Sequence, residues 1–364
     1  MNYKPLELED MAWSQLKYTR REVNEAGGFL QTPGHEPGQK LIDMILQAID
    51  VLDNFRVAHA FPLNTLQIRL RNHAKYIDEN SIIAQRLKRL SSIMFKLNRF
   101  KTMKLWDMQD IGGCRAIMHN LNHVEQLVDS YKSGSIRHRL VHEDNYIKQP
   151  RDSGYRSRHL VYRYFSDRND TYNNLKIEIQ IRTAIQHAWA TAVETVDAFT
   201  KQALKASSGQ RDWERFFQLM GTRMAHLEGT PPVPGTPIGE EELLSELRHC
   251  ANELRVKETL TGFTAALHIT RPIKGDYYLF SLDTVAQKLE ITEYTRKKLE
   301  QASKDYAKKE REIRGKEGAD AVLVSVDSIH NLRRAYPNYF ADTAMFLKIL
   351  KDSIKKDSIK KKRG

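Results

Sequence analysis

An α+β chain is predicted, with a mixed β-sheet flanked by helices and a second, smaller α+β unit. Three features of the sequence lead there. The run LKIEIQIRTAIQHAWATAVE at 175–194 opens with strict alternation: Ile177, Ile179 and Ile181 on one face, Lys176, Glu178, Gln180 and Arg182 on the other. It then changes to a helical period. Short strand-like and longer helix-like segments interleave along the rest of the chain. Four of the eleven prolines crowd into EGTPPVPGTPIG at 228–239, a natural boundary. The expected division is a first unit at 1–227, a connector at 228–259, a smaller unit at 260–347 and a basic tail at 348–364.

The 364 residues suffice for two domains, and a content of 40% hydrophobic and 29% charged residues argues against a disordered chain. No apolar run approaches the ~20 residues of a membrane span. The opening MNYKPLELEDMAW has no apolar signal segment. Cys114 and Cys250 make no CxxC zinc pattern and point to a reducing compartment. A cytoplasmic protein with no membrane partner is therefore expected. The formal net charge of +12 favours polyanionic partners. Part of that excess is in the tail, where eight Lys/Arg stand against Asp352 and Asp357.

In chain order, residues 1–60 read as mostly helical, broken by a loop at 27–38 that holds Pro33 and Pro37. Residues 64–73 and 81–100 read as amphipathic helices. The second crowds Arg86, Lys88, Arg89, Lys96 and Arg99, either a solvated basic face or a platform for a triphosphate. Asp110 precedes Gly112 and Gly113 and a strand at 114–119; a carboxylate at a strand mouth beside glycines suits Mg²⁺. A helix follows at 121–131, then a strand at 136–142 whose Arg137, His138 and Arg139 could line a basic groove. A turn-rich segment at 148–154 leads to a strand at 158–165. Tyr155 on this loop either stacks on a base or anchors the loop, with Arg156 and His159 near enough to bond an acceptor. Thr183 stands where a helix N-cap belongs, and His187, Ala190 and Glu194 share one side of the helix after it. Residues 212–227 continue helical.

Beyond the proline cluster the pattern predicts a helix at 240–259 and strands at 265–270, 277–282 and 289–294. A charged helix at 295–313, a strand at 321–326 and a last helix opening at 328–334 complete it. This region shows no catalytic constellation. Its one unusual feature is Tyr336-Pro-Asn-Tyr339 beside Arg333 and Arg334, two tyrosines on a turn that either anchor the segment or plug a nucleotide pocket.

The run EIQIRT at 178–183, with His187 and Ala190, resembles the signature of RelA/SpoT-type nucleotide pyrophosphokinases, which move a pyrophosphoryl group from ATP to a ribose 3′-hydroxyl. Three further motifs match in the family's order. RLK…SSI..K..R from Arg86 to Arg99 resembles its ATP-contacting helix. D-I-x-G-x-R at 110–115 resembles its metal-binding aspartate and second adenine-stacking arginine. GYRSxH at 154–159 resembles its acceptor loop, with Arg158 where leucine or isoleucine is usual. YTRREVNEAGGFL at 18–30 is similar to the N-terminal segment of small alarmone synthetases.

The resemblance implies a nucleotidyltransferase-like synthetase domain with ATP as substrate and Mg²⁺ as cofactor. Arg86 and Arg115 would stack on adenine, and Lys88 and Lys96 would reach phosphates. Asp110 would hold the metal, and Glu178 would be the base or a second metal ligand. Tyr155, Arg156, His159, Gln180, Arg182 and Glu194 would hold the acceptor, either GTP/GDP or the 3′ CCA end of tRNA. The net charge and Arg158 lean toward tRNA, and hence toward inhibition of translation. No His-Asp dipeptide of the family's hydrolase half occurs, so synthesis without hydrolysis is expected. YPNYFADTAMFLK at 336–348 resembles the regulatory C-terminus of CapRel-type fused toxin–antitoxins. That likeness implies autoinhibition through Tyr336 and Tyr339, lifted in phage defence by a capsid protein.

Overall fold

Eight strands make one sheet: β1 (Ile82–Leu87), β2 (Gly112–Met118), β3 (Arg139–Asn145), β4 (Arg158–Arg163), β5 (Lys176–Thr183), β6 (Tyr277–Asp283), β7 (Lys288–Tyr294) and β8 (Ala319–Val326). Their spatial order is β3-β4-β5-β2-β1-β8-β6-β7. The central β2–β5 pair is parallel and the other pairs are antiparallel. The computed structural model describes residues 13–31, 38–134, 136–200, 209–266, 275–283, 285–286, 288–295, 298–313, 316, 319–326 and 343–360. The helices are α1 (Arg20–Gln31), α2 (Gln39–Ala58), α3 (Ala60–Ile77), α4 (Leu90–Arg99), α5 (Leu121–Ser133), α6 (Ala184–Thr200), α7 (Gly209–Glu228), α8 (Glu240–Glu253), α9 (Val256–Ala266), α10 (Leu299–Ile313) and α11 (Ala344–Lys360).

The alternation in β5 decides which face is core. Ile177, Ile179 and Ile181 are fully buried against Leu63, Leu66 and Leu70 of α3 and Val124, Leu127 and Val128 of α5. Each such side chain contributes about 1.5–3 kcal/mol by leaving water. Their polar neighbours are thereby committed to the other face. Two further cores frame that face. One joins α1, α2 and α4 through Val23, Leu52, Phe55, Ile93 and Leu97. The other joins α6, α7, α8 and α11 through Trp189, Phe216, Phe217, Leu247 and Phe346.

Several elements differ from the expected ones. Residues 81–100 are not one helix: β1 comes first, Arg89 is extended at φ −61°, ψ 145°, and α4 begins at Leu90. β1 lies between β2 and β8 and is covered on both sides, so its sequence has no alternation to betray it. α1 runs straight through Gly27, where a Cβ would come within 2.6 Å of Leu105 Cβ; the predicted loop starts too early. β3 begins three residues after the expected strand, at 139 rather than 136. The helix expected at 240–259 breaks into α8 and α9 at Arg255, which has φ +46°. Of the strand expected at 265–270, residues 265–266 end α9 and the rest lie outside the described residues. The helix expected at 328–334 lies outside them as well.

The region after the proline cluster does not build its own sheet. β8 pairs with β1 at Ala84↔Val326 and Arg86↔Val324, so β6–β8 extend the first sheet. The proline segment packs along α7: Val233 is buried, and its N–H donates to Thr222 Oγ1 at 2.9 Å. The basic tail is helical as far as Lys360, with Phe346, Leu350 and Ser353 buried. Among the described residues no helix is long and apolar enough to cross a membrane.

Candidate active site

The polar face of β5 meets its neighbours in fixed register. Glu178 lies level with Gly113 of β2, and Gly113 with Arg86 of β1; Gln180 lies level with Arg115 on one side and His159 on the other. Glycine at 113 leaves a notch between Arg86 and Glu178, since a Cβ there would meet nothing nearer than the Glu178 carbonyl oxygen at 3.9 Å. Gly112, one residue earlier, faces the core, where a Cβ would sit 2.7 Å from Ile177 Cδ1.

Asp110 stands at the mouth of β2. Lys88 Nζ donates to its Oδ2 at 2.9 Å and Lys96 Nζ to its Oδ1 at 3.0 Å. Burial pushes the carboxyl up, but the two lysines more than offset this and hold it below its ordinary value. Glu178 receives His159 Nδ1 at 2.9 Å and Gln180 Nε2 at 2.8 Å. Burial pushes its carboxyl up as well, His159 pulls it down, and the nearby Asp110 charge pushes it up; the balance lies below the ordinary value. The two carboxylates are near enough to feel each other's charge and are both ionised at neutral pH.

Glu194 on α6 is also held ionised. Burial opposes this, and the guanidiniums of Arg115, Arg86, Arg182 and Arg89 outweigh it. Four guanidiniums around one carboxylate leave a cationic excess suited to a polyphosphate. Arg182 is buried and donates to His187 Nδ1; burial, then the charge of Arg115, brings its pKa down to about 9.

On the other side of Glu178, Tyr155 bonds His159 Nε2 at 2.9 Å through its hydroxyl. Tyr146 stands edge-on to His159 at 5.2 Å, and Tyr155 edge-on to Trp189 at 6.4 Å. Together these rings form an aromatic cluster beside Glu178.

Asp110, Lys88, Lys96, Glu178, Gln180, His159 and Tyr155 are brought together, with Arg86, Arg115 and Arg182 around Glu194. Three expected acceptor residues, Arg182, Glu194 and Arg156, stand elsewhere. Glu194 faces the arginines expected to take ATP, because α6 carries it past Arg182 toward β1 and β2. Arg156 is engaged elsewhere: its Nη2 donates to Pro231 O at 2.6 Å and its Nη1 to Ile147 O at 3.3 Å. Arg158 lies on the far face, bonded to Glu125 and Glu143. It is therefore neutralised and adds no charge to the pocket, so its lean toward tRNA is withdrawn. Tyr146 was not singled out from the sequence, where it is one aromatic in a charged stretch with no flanking motif. Tyr336 and Tyr339 lie outside the described residues.

Residues 85–201 match the family model for the region found in RelA / SpoT proteins. GTP pyrophosphokinase YjbM of Bacillus subtilis (strain 168) is 30% identical over 148 residues, covering 38% of this chain and 69% of that protein. The chain belongs to the RelA/SpoT family of pyrophosphokinases. Another RelA/SpoT relative, GTP pyrophosphokinase YwaC of the same organism, is 33% identical over 112 residues; the match covers 29% of this chain and 52% of that protein. The crystal structure of small alarmone synthetase 1 from Bacillus subtilis bound to its product pppGpp aligns with a TM-score of 0.42 at 24% identity. That alignment covers 49% of this chain and 92% of the other. The RelA/SpoT match ends at residue 201, so α7 to α11 and β6 to β8 lie beyond it.

Proposed function

We propose that this RelA/SpoT protein transfers the β,γ-pyrophosphoryl group of ATP to a ribose 3′-hydroxyl. The observation that supports the reading is two ionised carboxylates close enough to interact, Glu178 and Asp110, on strands whose register sets Arg86 and Arg115 beside them, with Arg86, Arg89, Arg115 and Arg182 gathered round Glu194. Those cations and Lys88 and Lys96 neutralise the polyphosphate. Glu178, oriented by His159 and Gln180, accepts the hydroxyl proton as the 3′-oxygen bonds the β-phosphorus. The Pα–O bond to the bridging oxygen stays with AMP, which leaves as the β-phosphorus–oxygen bond breaks. Tyr155 and Tyr146 offer their rings to the acceptor base.

Mg²⁺ fits this donor set. Asp110 and Glu178 present hard carboxylate oxygens, and among the described residues no group of three or more His, Cys, Asp or Glu forms a protein-only metal cage. Mg²⁺ is commonly held by one or two carboxylates with substrate phosphates completing the shell. When bound it would neutralise charge on the phosphate oxygens.

A guanosine nucleotide is the acceptor favoured by the relatives' names, GTP pyrophosphokinases. The 3′ end of tRNA, with inhibited translation, is the second reading and is favoured by the net charge of +12. The C-terminal region would restrain the enzyme. Arg89, one of the cations near Glu194, forms an ion pair with Asp320 of β8, a carboxylate that competes with polyphosphate. The CapRel-type likeness extends this to phage defence, with Tyr336 and Tyr339 as the plug and a capsid protein as the trigger.

One assay separates these readings: ATP labelled at the β-phosphorus, offered with GDP, GTP or total tRNA, to the wild type and to Tyr336→Ala/Tyr339→Ala. Label in the guanosine nucleotides alone rules out tRNA, and label in tRNA alone rules out the nucleotide reading. Higher transfer by the double variant is expected; unchanged or lower transfer removes the plug.

A further inference from the structure

The acceptor loop is gripped from outside the family-matched stretch. Gly154, at φ +96°, is wedged so tightly that a Cβ would lie 3.1 Å from both Phe217 O of α7 and the Trp189 ring of α6. Trp189 Nε1 donates to that same Phe217 carbonyl at 2.9 Å. Gly221 of α7 backs onto Gly154, where a Cβ would lie 3.0 Å from the Gly154 Cα. Arg156, next to Tyr155, is tied to Pro231 O just after α7.

The end of α7 also holds the start of α6. Thr183 and Gln186 form a reciprocal cap: Gln186 N donates to Thr183 Oγ1 and Thr183 N to Gln186 Oε1, each at 3.2 Å. Both cap side chains then donate to one carboxylate. Thr183 Oγ1 bonds Glu228 Oε1, and Gln186 Nε2 bonds Glu228 Oε2 at 2.9 Å. A carboxylate at this end of α6 also complements the helix dipole. The donor-side cations Arg86, Lys88, Lys96 and Arg115 sit on β1, in the turn after it, on α4 and on β2. None of these elements carries the brace.

We infer that Glu228 is a positioning residue that fixes α7 to the α6 cap and so sets the grip on the Tyr155 loop, controlling affinity for the acceptor rather than for ATP. This rests on the reading of that loop as the acceptor site. The test is steady-state kinetics of the full chain with ATP and GDP, and in parallel total tRNA. Glu228→Gln should raise the acceptor KM about tenfold and change the ATP KM by less than about twofold. Thr183→Val, which removes the bridging hydroxyl, should give the same split and stands in if the first variant does not fold; Thr183→Ser should behave as wild type. An unchanged acceptor KM in both variants, or ATP and acceptor KM rising together, overturns the brace. Tyr155→Ala separates the two levels. If it raises the acceptor KM while Glu228→Gln does not, the brace fails and the loop reading stands. If it leaves the acceptor KM unchanged, the loop reading itself fails.

Discussion

Glu178→Gln is expected to lower pyrophosphoryl transfer by about a hundred- to ten-thousand-fold, the usual contribution of a general base, with the fold intact. The amide keeps the shape of the carboxylate, and its neighbours His159 and Gln180 can still bond it. What disappears is the negative charge that accepts the proton. Because the Glu178 carboxyl is held below its ordinary 4.5, the base form persists at and somewhat below that pH, and the acid limb of kcat/KM should fall lower still. The stability sign agrees. A carboxyl held below its unfolded value adds stability that is complete above that value and is lost as pH falls through the folded one. Single-turnover rates of both proteins at neutral pH, with circular dichroism as the folding control, provide the check. A variant within about tenfold of wild type would remove Glu178 from the chemistry.

Glu310→Ala is expected to cost about 3 kcal/mol of stability, because it takes away one of the two carboxylates that hold a buried cation. Arg56 is 1% exposed and lies 4.8 Å over the Tyr306 ring, bonded to Glu310 and to Asp53 at 3.0 Å. Burial opposes its charge, and Tyr306, Glu310 and Asp53 more than restore it. The other Glu310 oxygen accepts the Leu90 N–H at 2.9 Å, at the N-terminal end of α4, the helix that brings Lys96 to Asp110. Removing Glu310 therefore loosens α10 from α2 and uncaps α4 together. Equilibrium urea unfolding measures this. A loss below about 1 kcal/mol would show that the pair is solvated, whereas Arg56→Met with Glu310→Leu should recover most of the loss.

What could be read ahead of the structure follows from where packing is local. The isoleucine alternation of β5 fixed its buried face and, with it, the side on which Glu178 and Gln180 stand. The same period of two places Arg156 and Arg158 together on the face opposite His159. That parity is legible in the sequence beneath the basic run Arg156–Arg158. β1 is hidden because a strand covered on both faces carries no alternation, and its Arg86, with Lys88 and Arg89 just after it, imitates a helical face. Pairing of β8 with β1, more than two hundred residues away in the chain, has no local trace. Nor does the role of Glu228, which opens a stretch whose prolines read as a free connector.

Pyrophosphoryl transfer requires that ATP be cut between its α- and β-phosphates and that the outer two move as one group. ATP labelled at the α-phosphorus, incubated with the full chain and the acceptor that the transfer assay identifies, tests it directly. Label is expected in AMP, one AMP for each acceptor modified, and none of either product with Asp110→Asn. Label accumulating in ADP, or AMP formed with no modified acceptor, would contradict it.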